Sequence, residues 1–270
     1  MTGRVDLNAD MGESFGPWKM GDDAALLQIV TSANIACGFH AGDADVMAAT
    51  MAQAVARGVG IGAHPGYRDL ANFGRYRMQV PAATLANQLR YQLGAAQAMA
   101  RAAGGHVRHL KLHGALANTC AEDQELARAC YAAALSIDPD ITIMVIAQTA
   151  QQRAAESLGC QFVTEIFADR AYNDDATLVD RSQPGAVIHD PAEAGARMAQ
   201  MLREGAIITA SGKRIATRID TICLHGDTPE AVAIARAVRA ALEADGLRVT
   251  RFDAADTGGA RVRHLTQDTR

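Results

Sequence analysis

Short apolar runs rich in Val and Ile alternate with longer segments of helical period along most of the chain, and this alternation constrains the fold more than any other feature. It is the pattern of βαβ units, in which each strand is covered by the helix that follows and the sheet is parallel. Strands are expected near residues 4–8, 33–37, 59–63, 107–112, 141–146, 161–166, 219–224 and 247–252. Between them, Val46, Met47, Met51, Ala54 and Val55 form a helical stripe closed by Gly58, and Leu85, Leu89, Ala96 and Met99 form another before Gly104. Thr228 is expected to cap a further helix with Pro229 in its first turn, Val232, Ala235, Val238 and Leu242 facing inward, and Gly246 ending it.

An open doubly wound sheet and a closed barrel both satisfy this pattern. Hydrophobic residues make up 49% of the chain but aromatics only 4%, so either core must be aliphatic. No linker or charge block divides the sequence, and one domain is expected over residues 1–255, with an exposed tail over 256–270 that lacks hydrophobic periodicity. Two irregularities stand out, a long segment at 167–190 and a hairpin around Ser211-Gly212-Lys213. A net charge of −4 without a dense Lys/Arg cluster gives no footprint for nucleic acid or an anionic membrane, and no uncharged run is long enough to span a bilayer. A signal peptide is not expected. The 5 cysteines form no C-x-x-C pair, and their odd number fits a reducing, cytoplasmic setting.

In the first strand Asp6, Asn8 and Asp10 share one face and Val5, Leu7 and Ala9 the other, because strand side chains alternate. Helices cover the outside of a βα barrel, so the polar face should line the lumen or its mouth. A calcium loop is excluded, since Met11 stands where the sharp turn needs Gly and Pro17 where the bidentate Glu belongs. By the same parity His109, Lys111 and His113 face away from Leu110 and Leu112. Burying an unpaired charge is costly, so Lys111 and His113 read as functional, and His109 and His106 as structural. His40, His64 and His225 each stand beside Gly at the C-terminal end of a strand, the face on which barrel enzymes place their sites. Glu165 joins them from the sixth strand. Asp169 and Arg170 read either as an ion pair or as part of the site, and Arg75 and Arg77 offer cations for a carboxylate or phosphate. Cys37 and Cys223 read as small packing residues rather than nucleophiles.

The segments DLNADMGE (6–13), NIACGFHAGD (34–43), GAHPGYRD (62–69), FGR (73–75), KLHGAL (111–116), EIFADRAY (165–172), LVDR (178–181) and CLHGDT (223–228) together resemble the LamB/YcsF lactam-utilisation family, that of the A subunit of prokaryotic ATP-dependent 5-oxoprolinase. Where that family pattern has Pro, Tyr and Arg, this chain has Leu112, Ala117 and Tyr76, while the charged and His positions are kept. The resemblance implies an irregular, seven-stranded, TIM-like α/β barrel of the glycoside hydrolase/deacetylase type. It also implies ATP-driven cleavage of 5-oxo-L-proline to L-glutamate, a hydrolase reaction at a cyclic C–N bond, with partner subunits B and C.

The residues then divide by chemistry. Asp10 or Glu165 would activate water, and Lys111 with His113 would stabilise oxyanion charge. Asp6, Asn8, Glu13, His40, His64, Arg75, Asp169, Arg170, Arg181, His225 and Asp227 are the expected substrate contacts. No phosphate-binding loop is present, because Ser211-Gly212-Lys213-Arg214 lacks both the upstream Gly and the Ser/Thr after Lys, so the sequence does not place ATP. Two rival readings remain at this level. One is a metal-dependent deacetylase or amidohydrolase with a divalent cation on Asp10, His40 and His64. The other is a non-catalytic subunit that binds a lactam.

Overall fold

A parallel sheet can carry helices on both faces, but one covered by helices on its outer face alone buries its inner face by closing. The computed structural model, which describes residues 3–253, does so. The tail expected over 256–270 lies outside the described residues. Parallel strands β1 (Arg4–Met11), β2 (Ser32–Ala36), β3 (Gly60–His64), β4 (Val107–Lys111), β5 (Thr142–Ile146) and β6 (Phe162–Phe167) pair in sequence order. Two short strands, β7 (Ala206–Ile208) and β8 (Arg214–Ala216), form the antiparallel hairpin expected around Ser211. Strand β9 (Thr221–Leu224) then pairs with both β6 and β1 and closes a seven-stranded parallel barrel. The eighth strand expected at 247–252 shrinks to β10 (Arg248–Val249), which extends β1 alone and stays outside the ring.

Helices α1 (Asp23–Leu26), α2 (Ala44–Arg57), α3 (Ala82–Ala102), α4 (Gly114–Glu122), α5 (Gln124–Leu135), α6 (Ala150–Leu158), α7 (Pro191–Glu204) and α8 (Ala231–Ala244) cover the barrel. Of the expected stripes, α2 buries Met47, Met51 and Ala54 with Thr50 added and leaves Val46 and Val55 half-buried, and α3 buries Leu85, Leu89 and Ala96 with Met99 half-buried. Asp43 caps α2 by accepting from the Val46 N–H, and Gly58 ends the helix in the left-handed region that costs glycine little. The start of α8 differs from expectation. Thr228 supplies only a carbonyl to Ala231 N–H, and the helix opens at Ala231 after an uncapped Glu230. The preceding segment is held irregular by side-chain contacts of His225 and Asp227 with other parts of the mouth. Among the described residues, no helix is long and apolar enough to cross a membrane.

Register sets which side chains share the lumen. Asp6 faces Thr221, Asn8 faces Cys223 and Ser32, and Asp10 faces Asn34. Gly62 pairs with His109, and Ile146 with Glu165. A Cβ on Gly62 would lie 2.0 Å from His109 Nε2, so glycine there makes room for the imidazole inside the ring. At the N-terminal end of the strands, Phe252 folds back to pack on Met144 and Val163 and against the His109 ring, and it plugs the lumen. The opposite end is crossed by the irregular segment 167–190. The β7–β8 turn buttresses that segment: Thr209 and Ser211 hydroxyls donate to Asp174, and the Lys213 ammonium to its carbonyl.

Candidate active site

The C-terminal ends of the strands surround one buried cation. The Lys111 ammonium, on the last residue of β4, lies 3.0 Å from Asp10 Oδ1, 2.9 Å from Glu165 Oε1, 2.9 Å from Cys223 Sγ and 3.4 Å from Asn8 Oδ1. The Phe167 ring covers it at 5.2 Å. Burial opposes the charged form, yet Asp10, Cys223 and Glu165 hold the ammonium well above the usual lysine range. Lys111 is therefore charged at neutral pH. Burial likewise opposes the Asp10 carboxylate, but His64 and Lys111 keep it well below the usual range. Glu165, fully buried behind Lys111, is raised by burial despite the ammonium beside it.

Sequence reasoning missed two features of this centre. Asn34 bridges β1 and β4, with its amide donating to Asn8 Oδ1 (2.6 Å) and Asp10 Oδ1 (2.9 Å) and its carbonyl accepting from His109 Nε2 (2.7 Å). Its inward parity with Ser32 was the available signal. Cys223, expected to be a packing residue, also accepts from the Lys111 ammonium; burial pushes its thiol up, so it stays a thiol and not a nucleophile.

On one flank His64 donates from Nδ1 to the Lys111 carbonyl (2.8 Å), and its Nε2 lies 3.3 Å from Asp10 Oδ2. His113 bonds the Phe73 carbonyl through Nε2 (2.9 Å) and faces His64 with Nδ1 (3.0 Å). His40 stacks on His113 with ring centroids 3.7 Å apart, and Glu13 Oε1 lies 4.0 Å from His113 Nδ1. Burial, then His64, depress His113, and burial, then His113 and His64, depress His40. Glu13 is pushed well above the carboxylate range by burial and by Asp10 and Asp227. Glycines make this crowding feasible, since a Cβ at Gly74 would lie 2.6 Å from the Cβ of His40 and 2.8 Å from Cδ2 of His113. Buried Gln92 of α3 pins the loop by pairing with both backbone groups of Gly66.

A mouth of ion pairs completes the site. Arg75 pairs with Asp227 (2.6 Å), and His225 Nδ1 with Asp169 (2.7 Å). Burial works against the Asp169 carboxylate, but His225, Arg181 and Arg170 hold it below its usual range. Asp169 and Arg170 are not an ion pair of their own: the Arg170 guanidinium donates to the carbonyls of Val179 and Ala186 and braces the crossing segment. Arg77, exposed, pairs with Glu122. Asp10, His64, Lys111, His113, Arg181 and His225 line a polar cavity of about 430 Å³, within the size range of small-molecule sites. Arg181 has no hydrogen bond or ion pair among the described residues.

Three expectations meet a different geometry. Asp6, expected to touch substrate, lies at the plugged end of the barrel, where it accepts from the hydroxyls of Thr31 (2.6 Å), Ser32 (2.7 Å) and Thr221 (2.5 Å) and lines none of the large cavity. Asn8, also fully buried, bonds Thr221 and Lys111 and does not line the cavity either. The cation set Asp10, His40 and His64 is also redrawn. His40 and His64 gather with Glu13 and His113, whereas Asp10, although its Oδ2 stays 3.3 Å from His64 Nε2, groups with Cys223 and His225.

The LamB/YcsF family model matches residues 5–257. The A subunit of 5-oxoprolinase from Ruegeria pomeroyi is 70% identical over 93% of this chain and 99% of its own length, and that from Paracidovorax citrulli is 52% identical over 92% and 99%. The crystal structure of the lactam utilization protein from Thermus thermophilus superposes with a TM-score of 0.87 at 41% identity, covering 92% of this chain and 100% of that one. The catalytic domain of a peptidoglycan N-acetylglucosamine deacetylase from Eubacterium rectale shares the barrel at a TM-score of 0.53 and 10% identity, over 97% and 94% of the two chains.

Proposed function

The chain belongs to the LamB/YcsF family, and from that premise we propose that it is the A component of a multi-subunit 5-oxoprolinase, cleaving 5-oxo-L-proline to L-glutamate with ATP hydrolysis in the company of subunits B and C. The observation that carries this reading is the Lys111 ammonium, charged and clamped between Asp10 and Glu165 beneath a small polar cavity, in a chain so similar to the A components of 5-oxoprolinases.

The reaction adds water across the N1–C5 bond of the lactam. A five-membered amide resists attack because resonance stabilises it, and phosphorylation of its carbonyl oxygen by ATP makes C5 electrophilic; water adds to C5, the N1–C5 bond breaks as N1 takes a proton, and a second water releases the acyl phosphate as glutamate and inorganic phosphate. A weak base then suffices, which suits a carboxylate held as low as Asp10. Asp10 reaches the cavity and orients the attacking water, while Lys111 beside it offsets the negative charge of the phosphorylated carbonyl oxygen. Glu165 does not line the cavity, so it acts by positioning Lys111. His113 and His64, both tied to backbone carbonyls, form the opposite wall. Arg181, which faces the cavity without another partner among the described residues, receives the substrate carboxylate, with Arg75 and His225 held at the rim by Asp227 and Asp169. ATP enters this reading as a co-substrate of the assembly, and the sequence, which carries no phosphate-binding loop, does not place its site.

Co-expression with candidate B and C subunits, followed by measurement of glutamate and ADP formed from 5-oxoproline, tests the reading. Stoichiometric formation of both products supports it, and absence of product in a stable complex refutes it. If this chain only binds the lactam, Asp10→Asn and Lys111→Met complexes will turn over at near wild-type rates.

A further inference from the structure

We propose that Glu13, His40, His64 and His113 form a binding site for one divalent transition-metal ion of the zinc class. The argument begins with tautomers. His64 donates its Nδ1 proton to the Lys111 carbonyl, and His113 donates its Nε2 proton to the Phe73 carbonyl, because carbonyls can only accept. In neutral rings this leaves bare lone pairs on His64 Nε2 and His113 Nδ1, and these atoms face each other at 3.0 Å. Their next neighbours are carboxyl groups, Asp10 at 3.3 Å from His64 Nε2 and Glu13 at 4.0 Å from His113 Nδ1, so four potential ligand atoms converge at one point.

A proton on one ring would relieve the His64–His113 contact. It would not account for His40, which is fully buried with neither ring nitrogen hydrogen-bonded. Buried imidazoles normally satisfy at least one nitrogen. His40 and Glu13 each offer one ligand atom that lies, with those of His64 and His113, inside a group no more than 4.8 Å across. A bound ion with bonds of about 2.1 Å keeps its ligand atoms within about 4.2 Å of one another, so the group closes only slightly on binding. Three imidazoles and a carboxylate are the donor set of zinc and its neighbours rather than of magnesium or calcium. An outer cavity of about 500 Å³, lined by Glu13, His40, Trp18 and Phe73 among others, gives an ion a route in from the side away from Lys111. The ion would supply Lewis acidity next to the cavity floor.

This proposal stands on the cluster's geometry and not on the lactam reading, and its test needs neither 5-oxoproline nor partner subunits. The full chain, stripped with a chelator, is titrated with Co²⁺ and then with competing Zn²⁺, followed by visible absorption and calorimetry. The expected result is one ion per chain, with visible bands of imidazole-ligated Co²⁺ that Zn²⁺ displaces. His40→Ala and Glu13→Gln should each weaken binding by at least about tenfold, while His106→Ala, on the exposed surface, leaves it unchanged. Circular dichroism checks that each variant is folded, and if His40→Ala is not, Glu13→Gln carries the comparison. A folded wild-type chain that takes up no Co²⁺, or binding undiminished in the folded variants, overturns the proposal.

Discussion

Asp6 and Asp10 stand on the same face of the same strand, both almost fully buried, yet their surroundings drive them in opposite directions. At the plugged end, Asp6 meets only neutral hydroxyls, and burial, offset by those of Thr221, Thr31 and Ser32, leaves its pKa at about 6. At the open end, burial acts on Asp10 as well, but His64 and Lys111 outweigh it and hold the carboxylate ionised. Burial alone thus decides nothing; the charge of the partner does. The barrel has a structural end closed by Phe252 and a chemical end organised by Lys111.

Several variants can break or sharpen this contrast. The largest effect should follow Lys111→Met, which leaves Asp10 and Glu165 facing each other without a cation. Removing one member of a buried ion pair costs about 3–5 kcal/mol, readable by denaturant unfolding, and turnover of the assembled enzyme should fall at least about 10²-fold. Phe252→Ala should cost about 3–5 kcal/mol of stability by opening a cavity at the closed end, while the kinetics of folded complex stay near wild type. A large kinetic defect there would mean that the two ends are not separate.

Asp6 provides a pH signature. Its folded pKa is raised above the unfolded value of 3.8, so the folded state binds the extra proton between about pH 4 and pH 6. The Asp6 contribution to stability is therefore greatest below that window and declines as pH rises through it, by about 3 kcal/mol at most. Asp6→Asn should flatten this portion of the stability profile, and an unchanged slope would contradict the assignment. Smallest is Arg181→Ala, expected to raise KM for 5-oxoproline by about 10- to 100-fold, the worth of a charged hydrogen bond, with less effect on kcat. A kcat defect with normal KM would remove Arg181 from the carboxylate.

Much of the barrel was legible in the sequence because strand parity and helix stripes are local properties. Asp10, Lys111, His64 and His113 could be placed at one end from alternation and flanking glycines alone. Asp6 shows where that logic stops: parity gives the face of a strand but not the height along the lumen, which depends on register with β9. Arg170 lines the cavity, as its site reading expects, but its bonds go to backbone carbonyls of an irregular segment that no side-chain pattern announces. Phe252 left no sequence signal as a plug, and parity shows the inward face of Asn34 but not its partners, because each acts across strands far apart in sequence.

The two aspartates also provide the most direct test of the central claim. Glutamate formation from 5-oxoproline is measured in complexes assembled with the wild-type chain, Asp10→Asn or Asp6→Asn, each checked for folding. Chemistry confined to the Lys111 end predicts a loss of about 10²–10⁴-fold for Asp10→Asn and near wild-type turnover for Asp6→Asn. Equal losses in the two variants, or an active Asp10→Asn complex, would contradict it.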